Sequence, residues 1–365
     1  MVIVGGGVMG TAAARALSSR GREVLLLERF TFGHGNGSSG GPTRNFRLTY
    51  HDPVYVRMAR AALEGWRRLE SDAGLELMRV VGGLDVGEAT DLSAAALESA
   101  GESFERPSAA EVAERWPFLR FDGASAFLYQ PEGAIVRADD ATAAQARLAR
   151  AAGAELREET VVDTIRPAGD GVEVVTSHGE IIRTSVAIVA AGAWAPPLLR
   201  GAGVDLPVRP TLEQSTYFEP DAEYASVPTV IDWDVTPEQP PYIVPNPFVP
   251  GELKAGAHLS GPAVDPDSRT FQPDADREAR IIGWVRRRVT PPPVPARTET
   301  CLYSVTPDED FVIDRVGPLV IASPCSGHGF KFAPLIGELL AALATGAQPP
   351  LPLDRFRVDR PVLRG

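Results

Sequence analysis

The stretch that decides the fold is Val2-Ile3-Val4-Gly5-Gly6-Gly7-Val8-Met9-Gly10, in a chain of 365 residues. Its short apolar run predicts a buried parallel strand. Glycines at the G-x-G-x-x-G spacing follow at once, and the helix-forming run 11–17 comes next. A second apolar strand, residues 23–27, ends at Glu28. Strand, glycine turn, helix and strand in this order predict a βαβ unit that binds a dinucleotide, with an ordinary structural turn as the alternative.

Each glycine of the motif has an expected role. Gly5 permits the tight turn, Gly7 lets the backbone approach a diphosphate, and Gly10 lets the helix pack on the strand. The diphosphate is expected at the helix N-terminus, where free N–H groups and the helix dipole favour an anion. The carboxylate of Glu28 is expected to bind the ribose hydroxyls. It disfavours the 2′-phosphate of NADP but does not distinguish NAD from FAD.

Composition limits the class of protein. Hydrophobic residues make up 44% of the chain, and the net charge of −12 argues against a nucleic-acid or anionic-membrane partner. No apolar run approaches the ~20 residues that span a bilayer, and Met1 leads directly into a strand, so no signal peptide is predicted. Two cysteines, Cys301 and Cys325, are typical of a reducing compartment. We therefore expect a cytoplasmic enzyme, and no residue cluster predicts a metal site.

Two Gly-containing segments could contact a cofactor. Residues 29–44 form a Gly/Ser-rich loop that could wrap a ligand with its backbone or serve as a flexible connector. The apolar strand 186–190 closes on Ala191-Gly192-Ala193-Trp194. That turn suits either a second approach to the cofactor or ordinary strand–helix packing.

The remaining patterns predict an α/β (α+β) fold with two domains, both discontinuous in sequence. Helices are predicted at 52–73, 93–101, 108–116, 139–153, 274–289 and 330–344, with N-caps at Ser93, Ser108 and Asp139/Asp140. Alternating strands with prolines at 208–259 predict an antiparallel sheet. A Rossmann-like βαβ domain is assigned residues 1–75, 138–205 and 297–365. An antiparallel-sheet substrate domain is assigned residues 76–137 and 206–296.

Several motifs together carry a resemblance to a known family. They are the Gly5–Glu28 unit, Asn36-Gly37-Ser38 with Thr43-Arg44-Asn45-Phe46-Arg47, Lys254-Ala255-Gly256-Ala257-His258, Cys301-Leu302-Tyr303-Ser304 with Asp308-Glu309-Asp310-Phe311, and Ser326-Gly327-His328-Gly329-Phe330-Lys331. Nearly from end to end, the chain resembles the FAD-dependent amine oxidases of the monomeric sarcosine oxidase and N-methyltryptophan oxidase type, in the D-amino-acid-oxidase-like group. The resemblance implies that the βαβ domain is an FAD-binding domain.

The resemblance also implies how FAD is held. In this family the cysteine that matches Cys301 is joined through its sulfur to the 8α-methyl group of FAD, so covalent FAD is expected here. By itself, Cys301 is also compatible with a buried apolar thiol, and Cys325 is expected to pack. The residues expected to contact the cofactor are Gly5, Gly7, Val8, Met9, Gly10, Glu28, Arg29, Ser38, Thr43, Arg44, Val161, Gly192, Trp194, Cys301, Gly327, His328, Gly329, Phe330 and Lys331.

The same resemblance assigns catalytic roles. Lys254 resembles the lysine that the family holds against the flavin, where a fixed cation promotes reaction with O₂. Arg47 and Lys331 resemble the pair that holds a substrate carboxylate. By themselves, Lys254 is also compatible with a solvent-exposed strand lysine and His258 with a structural histidine. The residues expected at the reacting centre are Lys254, His258, Arg47, Lys331, Tyr242 and Tyr303.

The implied reaction is oxidation of a secondary amine that bears a carboxylate, an N-methyl amino acid or a cyclic imino acid, to an imine with formation of H₂O₂. Ser39 and Gly40 stand where sarcosine-type members often carry histidines, which argues against sarcosine itself. The expected partners are this small molecule and O₂, and the expected state is a monomer. Two alternatives are a flavin-dependent dehydrogenase that passes electrons to a carrier, and a non-covalent NAD-dependent or other nucleotide-binding protein.

Overall fold

The computed structural model describes residues 1–364. Their strands are β1 (Val2–Val4), β2 (Leu25–Leu27), β3 (Thr43–Phe46), β4 (Met78–Val80), β5 (Gly83–Val86), β6 (Phe127–Gln130), β7 (Ala134–Arg137), β8 (Glu155–Arg157), β9 (Val162–Ala168), β10 (Gly171–Thr176), β11 (Ile181–Thr184), β12 (Ala187–Val189), β13 (Arg209–Phe218), β14 (Thr229–Asp232), β15 (Pro241–Asn246), β16 (Glu252–Ala257), β17 (Pro295–Val305), β18 (Val312–Val316) and β19 (Leu319–Ser323). Their α-helices are α1 (Val8–Ser18), α2 (Pro53–Ala73), α3 (Thr90–Ser99), α4 (Ala109–Arg115), α5 (Ala138–Ala151), α6 (Ala195–Gly201), α7 (Ala275–Arg288) and α8 (Ala333–Thr345).

A six-stranded sheet in the order β18-β19-β12-β1-β2-β8 carries the glycine turn. Its pairs are parallel except for β18 with β19. The central strand β1 is buried along its whole length, as its uniformly apolar sequence requires. Helix α1 begins directly after the turn and packs against α5 and α8. The predicted βαβ unit is therefore confirmed, and its turn lies at the carboxyl edge of the sheet, where such folds bind ligands.

A seven-stranded sheet in the order β17-β13-β16-β15-β14-β5-β6 forms the second large layer. Its pairs are antiparallel, as predicted, except for β14 with β5, which run parallel. This exception arises because β5 and β14 are distant in sequence, so no hairpin sets their relative direction. Helix α7 packs on this sheet and contributes the buried Trp284.

Two three-stranded sheets complete the fold, in the orders β11-β10-β9 and β3-β7-β4. Strand β3 lies at the end of the segment expected to be a loop and pairs antiparallel with β7. Its terminal residues Thr43 and Phe46 are buried, which anchors this end of the loop. Arg47 follows directly and is thereby placed beside the second large sheet, near Asp85 of β5.

Two of the predicted helix caps are wrong. Helix α3 begins at Thr90, so Ser93 lies buried inside the helix, where packing of its apolar face outweighs the cap preference. Asp139 and Asp140 lie in the first turn of α5 because β7 runs directly into that helix without an intervening cap residue. Their charges still suit the helix dipole. Ser108 caps α4 as predicted, with a reciprocal bond from Glu111.

The domain boundaries remain a prediction. Strands β3 and β7 pair with each other although they belong to different predicted domains. The boundary at 137/138 falls where β7 meets α5. Gly365, the last residue of the predicted FAD-binding domain, lies outside the described residues. Within residues 1–364, no helix has the length and apolar character needed to cross a bilayer.

Candidate active site

A cavity of about 590 Å³ extends from the glycine turn to the seven-stranded sheet. This volume falls in the range of cofactor and small-molecule sites. All the predicted site residues line it except Gly10 and Thr43. Gly10 packs instead against the turn, since a Cβ there would lie 1.8 Å from the carbonyl oxygen of Gly5. The main chain of Thr43 contacts Lys254, as described below.

The glycine turn has the geometry that its sequence predicts. Gly5 has φ +106°, and a Cβ there would lie 2.5 Å from the carbonyl oxygen of Ala190, so no other residue fits. Gly7 is the N-cap of α1. Ser39 accepts a hydrogen bond from the N–H of Val8 at 3.0 Å and so ties the Gly/Ser-rich loop to the helix start. No local pattern in the sequence indicates this role of Ser39.

Glu28 lies buried at the end of β2, at the cavity wall. Its carboxylate accepts hydrogen bonds from the N–H of Gly6 at 2.5 Å and of Phe30 at 2.8 Å, and His34 lies 3.3 Å away. Burial by itself would raise the pKa of Glu28, but His34 and these two N–H groups hold the pKa below its usual value. The group is therefore an anion where ribose hydroxyls are expected.

The wall beside Glu28 is held by Asp267, which sequence reasoning missed. Its Oδ1 lies 2.8 Å from Nη1 of Arg29 and accepts a hydrogen bond from Nε1 of Trp194 at 2.9 Å. Arg29 and Trp194 are predicted site residues from different segments, and Gly192 and Val161 line the same region. No pattern near Asp267 marks it in the sequence, because its partners are distant along the chain.

Arg44 organises the loop that covers the cavity. Its Nη2 donates to the carbonyl oxygens of Ser38 at 3.0 Å and Gly40 at 2.5 Å, so the loop 29–44 is held by its own arginine. The guanidinium also lies 5.6 Å from the ring centre of Phe330. The structure therefore favours a ligand-wrapping loop over a flexible connector with solvated arginines.

Cys301 lies on β17 with its thiol free, opposite Glu213 of β13. Burial raises the pKa of this thiol, and the neighbouring cations Arg44 and Lys254 oppose that shift. Cys325 also lines the cavity, and its sulfur accepts a hydrogen bond from the N–H of Ser304 at 3.3 Å. Cys301 is thus a cavity residue whose thiol form is favoured, because the effect of burial outweighs that of the nearby positive charges.

Lys254 lies on β16 and is only 7% exposed, which excludes the solvent-exposed alternative. Its Nζ donates to the carbonyl oxygen of Thr43 at 2.7 Å and lies 5.9 Å from the ring centre of Tyr217. Burial, together with repulsion by Arg44, lowers the pKa of Lys254 to about 7. A cation in a site of low polarity is thereby available near neutral pH.

Arg47 and Lys331 meet across the ring of Tyr50, at 4.7 Å and 5.5 Å from its centre. Nη1 of Arg47 donates to the carbonyl oxygen of Thr49 at 2.5 Å, and Nζ of Lys331 donates to that of His328 at 2.8 Å. Burial, and then repulsion by Arg47, lowers the pKa of Lys331 well below its ordinary value. Half-buried Arg47 and buried Lys331 thus place two basic groups where a bound anion would be stabilised.

The histidines and tyrosines of the site are largely uncharged. Burial, reinforced by Arg47 and Lys331, lowers the pKa of His258 to about 3, so this imidazole is neutral. Burial raises the pKa of Tyr242 to about 12, and its hydroxyl lies 3.1 Å from that of Ser215.

The glycine motif near the C-terminus packs against the same rings. Gly327 has φ +78°, and a Cβ there would lie 2.2 Å from the ring of Tyr303 and 2.7 Å from that of His258. His328 stacks on Phe311 with ring centres 4.6 Å apart, and its Nδ1 lies 3.3 Å from the hydroxyl of Tyr50. The motif therefore sets the position of Lys331, and the missing side chain of Gly327 leaves room for the rings of Tyr303 and His258.

Sequence reasoning missed four aromatic or aliphatic side chains that line the cavity from the seven-stranded sheet. These are Tyr217, Ile231, Trp233 and Val244, on strands of the seven-stranded sheet or directly after one. Alternation along β14 would have placed Ile231 on one face, but no signal indicated which face meets the cavity.

The residues present fit a dinucleotide cofactor in which one of the two nucleotides carries a flat ring system. The glycine turn and Glu28 line the cavity, and so do four basic side chains, Arg44, Arg47, Lys254 and Lys331. Residues of both large sheets line this one cavity, so a single ligand could contact both sheets. Among residues 1–364, no group of His, Cys, Asp and Glu could hold a metal ion.

Comparison with known proteins agrees with this geometry. The family model described as FAD dependent oxidoreductase (DAO) matches residues 1–343. A probable sarcosine oxidase of Arabidopsis thaliana is 32% identical over 94% of this chain and 87% of its own length. A monomeric sarcosine oxidase of Streptomyces avermitilis is 31% identical over 98% of this chain and 96% of its own.

A solved structure is also similar along the whole fold. It is the Tyr258Phe mutant of NikD, described as an unusual amino acid oxidase essential for nikkomycin biosynthesis. It superposes with a TM-score of 0.88 at 28% identity and covers 98% of this chain and 96% of its own. With a family model that spans most of the sequence and relatives matched along nearly their full length, the chain belongs to the DAO family of FAD-dependent oxidoreductases.

Proposed function

We propose that this protein is an oxidase of a secondary amine that carries a carboxylate, an N-methyl amino acid or a cyclic imino acid. The observation that carries the proposal is the pair Arg47 and Lys331, a half-buried guanidinium and a buried amine that line one cavity. A substrate carboxylate would accept hydrogen bonds from this pair, whose nearest acidic group, Asp85, lies 3.9 Å from Arg47. The named relatives, two of them sarcosine oxidases, support the same class of substrate.

FAD would be held along the length of the cavity. The turn at Gly5 and the N-terminus of α1 suit its diphosphate, Glu28 suits the ribose of its adenosine half, and Lys254 and Cys301 suit its ring system. When bound, FAD supplies a two-electron acceptor that dioxygen can restore. Overall, the amine loses two hydrogens to form a C=N bond, and O₂ gains them to form H₂O₂.

We further propose that Cys301 binds FAD covalently through its sulfur. Forming this link would break the S–H bond of Cys301 and one C–H bond of the 8α-methyl group, and would form one S–C bond. The two hydrogens and two electrons released reduce one O₂ to H₂O₂, so the step balances without another reactant. Arg44 and Lys254 oppose the rise in the pKa of Cys301 that burial causes, and so would lower the cost of forming the thiolate that must attack.

The chain's own residues act mainly by position and charge. Arg47 and Lys331 would orient the carboxylate, while Tyr242, Tyr303 and Trp233 exclude water from the amine. The pKa of His258 is about 3, so its imidazole is neutral and is a weak base. The amine is therefore expected to react in its neutral form. Lys254 would stabilise the negative charge that develops on O₂.

A panel of amines, scored by peroxide release, tests the reaction. We expect peroxide from N-methyl or cyclic amino acids and none from the same amines without a carboxylate. Amine oxidation that needs an artificial electron acceptor and yields no peroxide would favour the dehydrogenase alternative.

The covalent link has a separate test. On acid precipitation the yellow colour should remain in the pellet of the wild-type protein and appear in the supernatant of Cys301→Ser. Cys325→Ser is the matched control and should keep its colour in the pellet. Colour in the wild-type supernatant would contradict the covalent link.

A monomeric state and a cytoplasmic location remain predictions.

A further inference from the structure

Asp85 is a buried carboxylate behind the wall of the cavity. It lies on β5 opposite Ile231 of β14, in the one parallel pair of the seven-stranded sheet, and it is 2% exposed. Ile231 and Trp233 line the cavity beside Arg47. A carboxylate at this depth costs free energy unless a cation or hydrogen-bond donors compensate it.

The partners of Asp85 are few. Its Oδ2 lies 3.9 Å from Nη1 of Arg47 and accepts a long hydrogen bond from Nε1 of Trp233 at 3.4 Å, and the side chain of Thr49 is a further hydrogen-bond partner. Burial raises the pKa of Asp85, and Arg47, Trp233 and Thr49 oppose that rise. Among the carboxylates of residues 1–364, only that of Asp85 lies within 4.0 Å of the Arg47 guanidinium. Asp85 is therefore the nearest compensating charge for that cation.

Two contacts besides Asp85 hold Arg47 in place. Its Nη1 donates to the carbonyl oxygen of Thr49, and its guanidinium lies over the ring of Tyr50. These contacts orient the guanidinium, while Asp85 contributes charge across a gap without a direct hydrogen bond. Removing the charge of Asp85 should consequently change the electric potential at Arg47 more than its geometry.

We propose that Asp85 is the internal counter-ion of Arg47, with which the carboxylate of the substrate must compete. Asp85 partly neutralises the guanidinium while no ligand is bound, so the site is stable when empty and its affinity for carboxylates is moderated. Asp85 acts through the charge of Arg47 and does not itself contact the reacting atoms. The inference rests on the carboxylate site of the proposed function.

The test is titration of the holoenzyme with acetate and with benzoate, carboxylates that have no amine to oxidise, followed by the flavin absorbance spectrum and by calorimetry. We expect Asp85→Asn to bind them about three- to tenfold more tightly than wild type, because Arg47 then lacks a competing anion. Asp85→Ser, which also removes the charge, provides the same measurement if Asp85→Asn does not fold.

The matched control is Asp234→Asn. Asp234 lies just beyond β14 and contacts Ser125 instead of Arg47. The Asp234→Asn protein should therefore bind acetate with the affinity of wild type. A double-mutant cycle then isolates the coupling. In an Arg47→Met background, Asp85→Asn should leave the affinity unchanged, a result that a loss of packing alone would not produce.

The outcomes separate this inference from the function on which it rests. Carboxylate binding that is absent in wild type, or unaffected by Arg47→Met, would overturn the carboxylate site and the role of Asp85 with it. Binding that depends on Arg47 but is unchanged or weaker in Asp85→Asn would overturn the counter-ion role alone. Equal tightening with and without Arg47 would also overturn it.

Discussion

At the scale of single residues, both lysines of this chain, Lys254 and Lys331, are buried in the same cavity. The other 34 basic residues are arginines, as 36 Lys and Arg in total less two lysines gives. An ammonium group can lose its proton when it is buried, whereas a guanidinium remains charged. The positions that use lysine are therefore those where the charge responds to its surroundings.

Lys254 leads to a pH prediction. Its pKa is lowered to about 7, first by burial, so the ammonium form is present below pH 7 and is lost as the pH rises through that value. We expect the rate of reaction with O₂, measured by stopped-flow on reduced holoenzyme, to fall across this range. In Lys254→Met the rate should be ~100-fold lower and independent of pH over the same range.

Lys331→Met is the control for that measurement. It should weaken binding of the amine substrate and keep the pH dependence of the reaction with O₂. A rate and pH profile in Lys254→Met equal to those of wild type would remove the role of Lys254.

At the scale of elements, the glycine turn before α8 is held from outside by helix α2. Trp66 of α2 donates from Nε1 to the carbonyl oxygen of Lys331 at 2.7 Å, and its ring stacks on Phe330 with centres 6.2 Å apart. Trp66 is fully buried. The position of Lys331 in the cavity thus depends on a helix that does not itself line the cavity.

Trp66→Phe tests this dependence. The substitution leaves the carbonyl of Lys331 without its donor, and we expect a loss of about 1–3 kcal/mol in the free energy of unfolding. Benzoate should also bind more weakly, because Lys331 is less well held. Both effects are measured on one preparation, by denaturant unfolding and by ligand titration.

Trp284→Phe is the matched control. Trp284 is a buried tryptophan of α7 that donates to Asp232 at 3.1 Å, away from the cavity. We expect a similar loss of stability with unchanged benzoate binding. Weaker binding in both variants would show that the effect of Trp66 is general and not local.

At the scale of the molecule, the cavity joins the two large sheets. The six-stranded sheet contributes the turn at Gly5, and the seven-stranded sheet contributes Lys254 and Cys301. A cofactor that contacts both layers binds only when both are folded and in place. Binding is then coupled to the stability of the whole fold.

We therefore expect the melting temperature of flavin-free Cys301→Ser to rise with FAD concentration. Linkage predicts about 2.7 kcal/mol of added stability when FAD is at 100 times its Kd. FMN, which lacks the adenosine half that Glu28 and the glycine turn suit, should give a much smaller shift. A melting temperature that does not change with FAD concentration would contradict the placement of FAD between the layers.

The sequence by itself determined the βαβ unit and the identity of the family, and most of the site residues that it predicted line one cavity. The glycine spacing and the strand–helix order are local, so the turn at Gly5 follows from sterics and the acid at Glu28 from its distance along the chain. Local patterns were less decisive for the caps of α3 and α5, where packing of neighbouring elements set the helix starts.

Only the tertiary structure decided which charges face one another. Lys254 and Thr43 are 211 residues apart in sequence, yet one hydrogen bond joins them. The approach of Asp85 to Arg47 depends on how β3 and β5 lie in different sheets, and no periodicity encodes that. Burial and charge–charge distance are properties of the packed chain, so the protonation of Lys254 and the balance of charge around Arg47 could not be predicted from the order of residues.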